Sequence, residues 1–293
     1  MLTLRAPAKL NLGLEIRERR PDGYHEIETV FLPLRLFDRL TLQIGPGSGV
    51  EFECDDPGLP AGDENLAVRA AVAASQALQL EGRLRLCLEK RIPVAAGLGG
   101  GSSDAAAALL GIEALAGRPL GEPRRLALAR ALGADVPFFL DPRPKRGRGI
   151  GDLLEPLSGV PEMWWVLAVL PFPVSTAEVY REASRELTLP RDGSSIAALL
   201  GPCGVVSSPQ NDLETVTARR HPEVRAAREA LEASGASVVG MSGSGPTVYG
   251  QFEDRQAAER AAGRVALPRG ARAMAISSPG SDAANREWGV AKR

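Results

Sequence analysis

Cysteine, histidine and aromatic residues are scarce in this chain of 293 residues, which has 3 Cys, 2 His and 4% Phe, Trp and Tyr together. Cys54, Cys87 and Cys203 are far apart, odd in number and without metal-ligand spacing. They fit reduced thiols in a cytosol better than a disulfide framework. Cys87 alternates with Leu84, Leu86 and Leu88 and is expected in a strand, packed in the core. An excess of one charge is also missing. The 35 Lys+Arg and 36 Asp+Glu leave a net charge of −1, so nothing suggests a bulk nucleic-acid or membrane-surface binder. The densest basic run, Arg143 to Arg148, lies among Pro and Gly and is expected to be a solvated loop. The longest apolar run, Met163 to Leu170, stops at Pro171, far short of the ~20 residues that span a bilayer. The first fifteen residues carry Arg5, Lys9 and Glu15 and no continuous apolar stretch, so no signal peptide is expected. These absences predict a soluble cytoplasmic protein, and they leave its oligomeric state open.

The 44% hydrophobic content is enough for one large domain or two ordinary ones. Apolar and polar residues alternate from Leu2 to Ile16, a strand period interrupted at Pro7. Arg20-Pro-Asp-Gly23 is a turn, and Ile27–Leu36 and Arg39–Ile44 read as further strands. Helical spacing covers Asn65–Leu78, Ser102–Ala116 and Pro123–Leu132. After the breakers around 147–161, the strand Trp164–Leu170 opens the second half. Helices follow at Ser175–Glu186, Pro222–Ser234 and Glu253–Arg264, with strands at Ser237–Val239, Thr247–Phe252 and Ala271–Ile276. The reading is α+β, with an N-terminal domain over 1–155, a C-terminal one over 156–280 and a loose tail over 281–293.

The densest chemical signal is Pro93-Val-Ala-Ala-Gly-Leu-Gly-Gly-Gly-Ser-Ser-Asp104, followed by four alanines. Glycine lets a backbone approach a ligand closely and permits positive φ. Ser102, Ser103 and Asp104 read as cap and first-turn residues of a helix. A helix N-terminus offers free N–H groups and partial positive charge, which suits a phosphate. The segment therefore reads as a polyphosphate cradle. It lacks the Gly-Lys-Ser/Thr of a P-loop and the spacing Gly-x-Gly-x-x-Gly. A glycine-rich turn that merely starts a buried helix is the plainer alternative.

Phosphoryl transfer also needs positive charge near the γ-phosphate and a group to orient the attacking hydroxyl. Lys9 is the only charge in Ala6-Pro-Ala-Lys-Leu-Asn-Leu12, with Asn11 on the same strand face. It is a catalytic candidate, or a lysine snorkelling to the surface. Asp135 in Gly-Ala-Asp-Val-Pro-Phe-Phe139 is a candidate base, or an ordinary turn carboxylate. Gly240-Met-Ser-Gly-Ser-Gly-Pro246 is a second anion nest or a tight hairpin. Tyr24 and His25 offer a ring and a hydrogen-bonding imidazole that suit a nucleobase, though most such pairs only pack. His221 starts a helix, and Trp164 and Trp165 read as core.

Taken in order, Pro-Ala-Lys-Leu-Asn-Leu12, the Pro93–Ser103 loop and the Gly240–Gly245 loop resemble the three motifs of the GHMP kinases. Arg20-Pro-Asp-Gly-Tyr-His25, Gly-Ala-Asp-Val-Pro-Phe-Phe139, Val174-Ser-Thr-Ala-Glu-Val-Tyr180 and Asn211-Asp-Leu-Glu214 narrow it to the branch acting on a cytidyl diphosphate acceptor. The match runs from about Leu2 to Ile276. The resemblance implies ATP-dependent phosphorylation of the acceptor's 2-hydroxyl in the non-mevalonate route to isoprenoid precursors. It implies a ribosomal-protein-like N-terminal domain, a ferredoxin-like C-terminal domain and a site between them. Asp135 is implied as base and Lys9 as its partner. Pro93, Val94, Ala95, Ala96, Gly97, Leu98, Gly99, Gly100, Gly101, Ser102 and Ser103 would bind the ATP phosphates, with Asn65 and Lys90 near the adenine. Tyr24, His25 and Tyr180 would hold the cytosine, while Asn11 and Thr176 position the acceptor. Gly240, Ser242, Gly243, Ser244 and Gly245 form the second glycine loop. Val94-Ala95-Ala96 and Asp104 depart from the family, which carries more glycine and Asn there, and position 180 is often Phe. Mg²⁺ is expected across the β- and γ-phosphates. The sequence has no dedicated metal cage, and Ser103 and Asp104 are candidates for the metal's outer contacts. The rival readings are another kinase of the superfamily, of homoserine or mevalonate type, and a non-catalytic nucleotide-binding module.

Overall fold

The computed structural model describes residues 1–187, 196, 199 and 209–282. Cys203 and the tail beyond Asp282 lie outside the described residues. The chain opens with two long antiparallel strands, β1 (Leu2–Arg19) and β2 (His25–Gly45), paired from Leu2↔Leu42 to Arg19↔His25. Pro7 does not end β1. It has no N–H to give the ladder, so the register shifts between Pro7 and Ala8 while the strand runs on. The two separate strands expected over 27–44 are likewise one.

The remaining elements follow in chain order. They are β3 (Val50–Cys54), α1 (Leu66–Ala77), β4 (Arg83–Glu89), α2 (Gly100–Ala116), α3 (Glu122–Leu132), α4 (Val136–Phe139), β5 (Lys145–Arg148) and β6 (Leu153–Pro156). The second half carries β7 (Met163–Val169), α5 (Thr176–Glu186), α6 (Glu214–Arg220), α7 (Pro222–Ala233), β8 (Val238–Met241), β9 (Val248–Phe252), α8 (Arg255–Ala262) and β10 (Arg272–Ser278). The first sheet has the order β3-β4-β2-β5-β6 with β1 on β2, and the second β10-β7-β9-β8.

The helices α1 and α2 cover the first sheet with alanine. Ala70, Ala71, Ala74 and Ala105–Ala108 pack against Leu4, Leu40, Leu42 and Leu86. Small side chains let helix and sheet backbones approach closely. A third apolar cluster joins the sheets, with Leu10, Leu12, Val30 and Leu32 against Trp165, Leu167 and Tyr249. The middle of the β1–β2 ribbon therefore reaches the second sheet, and this reach places residues 9 and 11 beside the 240–245 loop.

Two expectations fail here for simple reasons. Cys87 is exposed: its leucine neighbours at even positions face the core, and a period of two sends Cys87 the other way. Residues 143–148 are not a solvated loop. Lys145–Arg148 pairs with β2 at Thr29↔Gly147, and Lys145 is buried, its charge matched by Asp141 at 3.2 Å. Burial still pulls the Lys145 ammonium below its ordinary range.

Candidate active site

Lys9 and Asp135 meet although 126 positions separate them in sequence (135 − 9). Lys9 Nζ lies 3.5 Å from Asp135 Oδ2. The lysine side chain is 5% exposed and the carboxylate 33%, so the ammonium is held from below and the carboxylate opens to the cavity. Lys9 is held by its neighbours. Its Nζ donates to Asn11 Oδ1, and Asn11 Nδ2 donates to Thr29 Oγ1 at 3.1 Å. Its backbone N–H donates to the carbonyl of Leu98 at 2.9 Å, which ties β1 to the first glycine loop. Asp135 is the residue before α4, presented by a turn whose next residues, Val136, Pro137, Phe138 and Phe139, are buried.

The two glycine loops touch. Ser242 Oγ donates to the carbonyl of Gly97 at 3.0 Å and accepts from the Asn11 backbone N–H at 3.1 Å. Gly97 has φ +74°, and a Cβ there would stand 2.5 Å from the Ser242 carbonyl oxygen. Gly99 has φ +72°, and a Cβ there would stand 2.8 Å from Phe139 Cζ and 3.0 Å from Lys9 Cγ. Both positions require glycine, by conformation and by space. The 242–247 connection joins β8 to β9 as a hairpin, and its Gly243 and Ser244 also line the larger of the two cavities beside it. Asn211 supports it from behind, donating to the carbonyls of Met241 and Gly243 at 2.8 Å each. Thr176 Oγ1 and Ser244 Oγ share a hydrogen bond of 2.8 Å.

Two cavities flank this seam. One, of 820 Å³, holds Lys9, Asn11, Tyr24, His25, Asp135, Thr176 and Tyr180. The other, of 360 Å³, holds Asn65, Lys90 and residues of the 93–102 loop. Gly97, Gly99 and Ser102 line both. In the larger one His25 stacks on Tyr180, with ring centroids 5.5 Å apart and planes at 20°. His25 Nε2 is buried without a partner, and burial, helped by the charge of Arg19, lowers its pKa. A neutral imidazole with a free edge suits a nucleobase. Tyr24 stands at the rim, 58% exposed.

In the smaller cavity the expected base contacts are already engaged. Asn65 caps α1, accepting from the N–H groups of Ala67 and Val68. Lys90 Nζ binds Asp38 and lies 2.8 Å from Asp104 Oδ2. Asp38, fully buried, also accepts from the N–H groups of Arg91 at 2.6 Å and Ile92 at 2.9 Å. The buried network Asp38–Lys90–Asp104 thus pins both ends of the glycine loop. Asn211 and Asp38 were not singled out for these roles. The available signals were an acid in an apolar strand and an Asn before a helix. The helix α2 starts at Gly100, so Ser102, Ser103 and Asp104 fall inside its first turns, and Gly99 is the residue before it. The glycines take helical backbone there without needing a side-chain cap.

Two carboxylates share one ammonium in this network. Burial pushes Asp104 up to about 7, opposed by Lys90 and reinforced by Asp38. Because this carboxyl binds its proton more tightly folded than unfolded, the network's contribution is greatest at low pH and falls as pH rises from about 4 to about 7. Asp104→Asn removes the titration and keeps an acceptor for Lys90. Unfolding free energy measured at pH 5 and pH 8 should fall less with pH in the variant, by about 1–3 kcal/mol. Parallel pH profiles would contradict this assignment.

Among the described residues no cluster of three or more His, Cys, Asp or Glu side chains could hold a metal ion. No helix among them is long and apolar enough to cross a membrane.

Comparison with known proteins agrees with this geometry. Residues 65–141 match the GHMP kinases N terminal domain and residues 191–267 the GHMP kinases C terminal. The 4-diphosphocytidyl-2-C-methyl-D-erythritol kinase of Geobacter metallireducens is 43% identical over 266 residues, covering 89% of this chain and 92% of its own. That of Moorella thermoacetica is 42% identical over 272 residues, covering 90% and 95%. A crystal structure of 4-(cytidine 5'-diphospho)-2C-methyl-D-erythritol kinase superposes with a TM-score of 0.82 at 41% identity, covering 95% of this chain and all of that one. The homoserine kinase of Cytophaga hutchinsonii shares the fold alone, with a TM-score of 0.70 at 16% identity.

Proposed function

The chain belongs to the GHMP kinases, and from that premise we propose that it transfers the γ-phosphoryl group of ATP to the 2-hydroxyl of 4-diphosphocytidyl-2-C-methyl-D-erythritol, a step toward isoprenoid precursors. It is a small-molecule phosphotransferase. The observation that carries the assignment of roles is the Lys9–Asp135 pair at the seam shared by two cavities.

ATP lies with its phosphates on the 93–103 loop, where backbone N–H groups at the start of α2 meet the negative charge. The acceptor lies in the larger cavity, its cytosine against Tyr180, Tyr24 and the free edge of His25. Asn11 and Thr176 line the same cavity as Asp135 and position the acceptor there. Asp135 accepts the proton of the 2-hydroxyl, whose oxygen bonds to the γ-phosphorus as the bond to the β-bridging oxygen breaks and ADP leaves. Lys9, with its ammonium 3.5 Å from the Asp135 carboxylate, offsets charge on the transferring group. A bound Mg²⁺ would supply charge neutralisation on the phosphates. Ser103 Oγ and Asp104 Oδ1, both buried without a partner, are the protein oxygens that fit its surroundings.

ADP release against a panel of acceptors tests the assignment. Turnover with the cytidyl substrate and background rates with homoserine, mevalonate and galactose are expected. A preference for any of the other three would overturn it. The base platform has its own test in steady-state kinetics. Tyr24→Ala and Tyr180→Ala should raise KM for the cytidyl substrate about 5- to 50-fold and leave KM for ATP within about twofold. Equal effects on both substrates would remove the platform.

A further inference from the structure

The 820 Å³ cavity is strongly cationic in a protein whose net charge is −1. Lys9, Arg19, Arg181 and Arg185 line it, against the single carboxylate of Asp135. Lys9 and Asp135 compensate each other. Among the described residues no acidic side chain pairs with any of the three arginines. Nearby arginines behave differently. Arg17 is matched by Glu15 at 3.0 Å, and Arg20 by Asp22 at 2.9 Å and Glu26 at 3.3 Å.

The helix α5 shows the same sorting. Glu178, Glu182 and Glu186 recur every four residues and pair with Arg219 and Arg220 of α6 at 2.5–3.4 Å. Its cavity face carries Thr176, Tyr180, Arg181, Ser184 and Arg185. Arg181 and Arg185 are four apart, so like charges sit one turn from each other, an arrangement that costs helix stability unless an anion lies between them. The last turn of a helix favours a cation, which explains Arg185 alone. Arg19 comes from the other wall, opposite His25 in the β1–β2 register. Thr176 marks the reacting end through Ser244, and Arg185 stands nine residues further, about 13 Å along the helix.

We propose that Arg19, Arg181 and Arg185 form an anion subsite for the diphosphate bridge of the acceptor, and that this subsite excludes acceptors without one. The guanidinium fork suits phosphate oxygens, and phosphate held by several such groups gains strongly in affinity. The inference rests on the cytidyl substrate proposed above and names the residues that read its phosphates.

Titration calorimetry of cytidine and CDP against the wild type, Arg19→Gln and the double variant R181Q/R185Q tests it, alongside kinetics on the full acceptor. The side chains are exposed, so the variants should fold as the wild type does. The wild type should bind CDP about 10- to 100-fold more tightly than cytidine, and the double variant should lose most of that ratio. KM for the cytidyl substrate should rise by the same factor while KM for ATP holds, and lysine replacements should restore part of the loss. A CDP-to-cytidine ratio unchanged in the variants, with wild-type turnover of the cytidyl substrate intact, overturns the subsite alone. A wild type that neither binds CDP nor turns over the cytidyl substrate overturns both the subsite and the assigned substrate.

Discussion

Asp135→Asn should lower kcat about 10²- to 10⁴-fold and leave KM for ATP within about twofold. The substitution keeps the shape of the side chain and removes its capacity to take a proton. Asp135 stands in the larger cavity and not in the smaller one, so its loss falls on the acceptor's chemistry and not on nucleotide binding. Folding should survive. The carboxylate is partly exposed, and without it Lys9 still donates to Asn11. An amide also cannot supply the negative charge that the neighbouring ammonium balances, so the loss combines proton transfer with electrostatics. Steady-state rates at saturating acceptor and ATP read the effect directly. A variant that turns over at the wild-type rate would leave Asp135 as an ordinary turn carboxylate.

Lys9→Met should cost about 10²- to 10³-fold in kcat, the scale of removing one charge-stabilising group from a reacting centre. Methionine preserves much of the stem, which packs beneath Gly99, while the ammonium disappears. Asn11 and Asp135 then lose their shared donor. The two residues act as a unit, so the losses should not add. The double variant K9M/D135N should fall no more than about tenfold below the weaker single variant. Losses that multiply in full would mean that the two side chains serve separate steps. Thermal unfolding of Lys9→Met distinguishes a folding defect from a catalytic one, since a buried charge is removed together with its mate's partner.

The parts of this site that were legible in the sequence are those whose chemistry is local. Glycines at 97, 99, 240, 243 and 245, a lone lysine in an apolar strand and a lone aspartate before Val-Pro-Phe-Phe each stand out within a few residues. The longer helices were legible for the same reason, since apolar spacing is written in consecutive residues, whereas the short α4 and α6 were not read and the cap expected at Ser102–Asp104 is Gly99. The illegible parts depend on distant partners. Nothing near Asp38 in sequence indicates that Lys90, Arg91 and Ile92 will surround it. Asn211 supports the second loop only because β1 runs beside it, at Leu14. The strand Lys145–Arg148 looked like a loop because its partner, β2, supplies both the ladder and the ion pair of Arg146 with Glu28. Arg19 lies far from Arg181 and Arg185 in the sequence, and only the fold sets the three around one cavity. Cys87 was a misreading of phase, which alternation alone would have corrected.

The most direct test is a crystal structure with a non-hydrolysable ATP analogue and the cytidyl acceptor bound together. The triphosphate should lie on residues 93–103, the cytosine against Tyr180, and the 2-hydroxyl oxygen within hydrogen-bond reach of Asp135 with the γ-phosphorus in line behind it. A 2-hydroxyl directed away from Asp135, or a triphosphate bound elsewhere than the first glycine loop, would contradict the account.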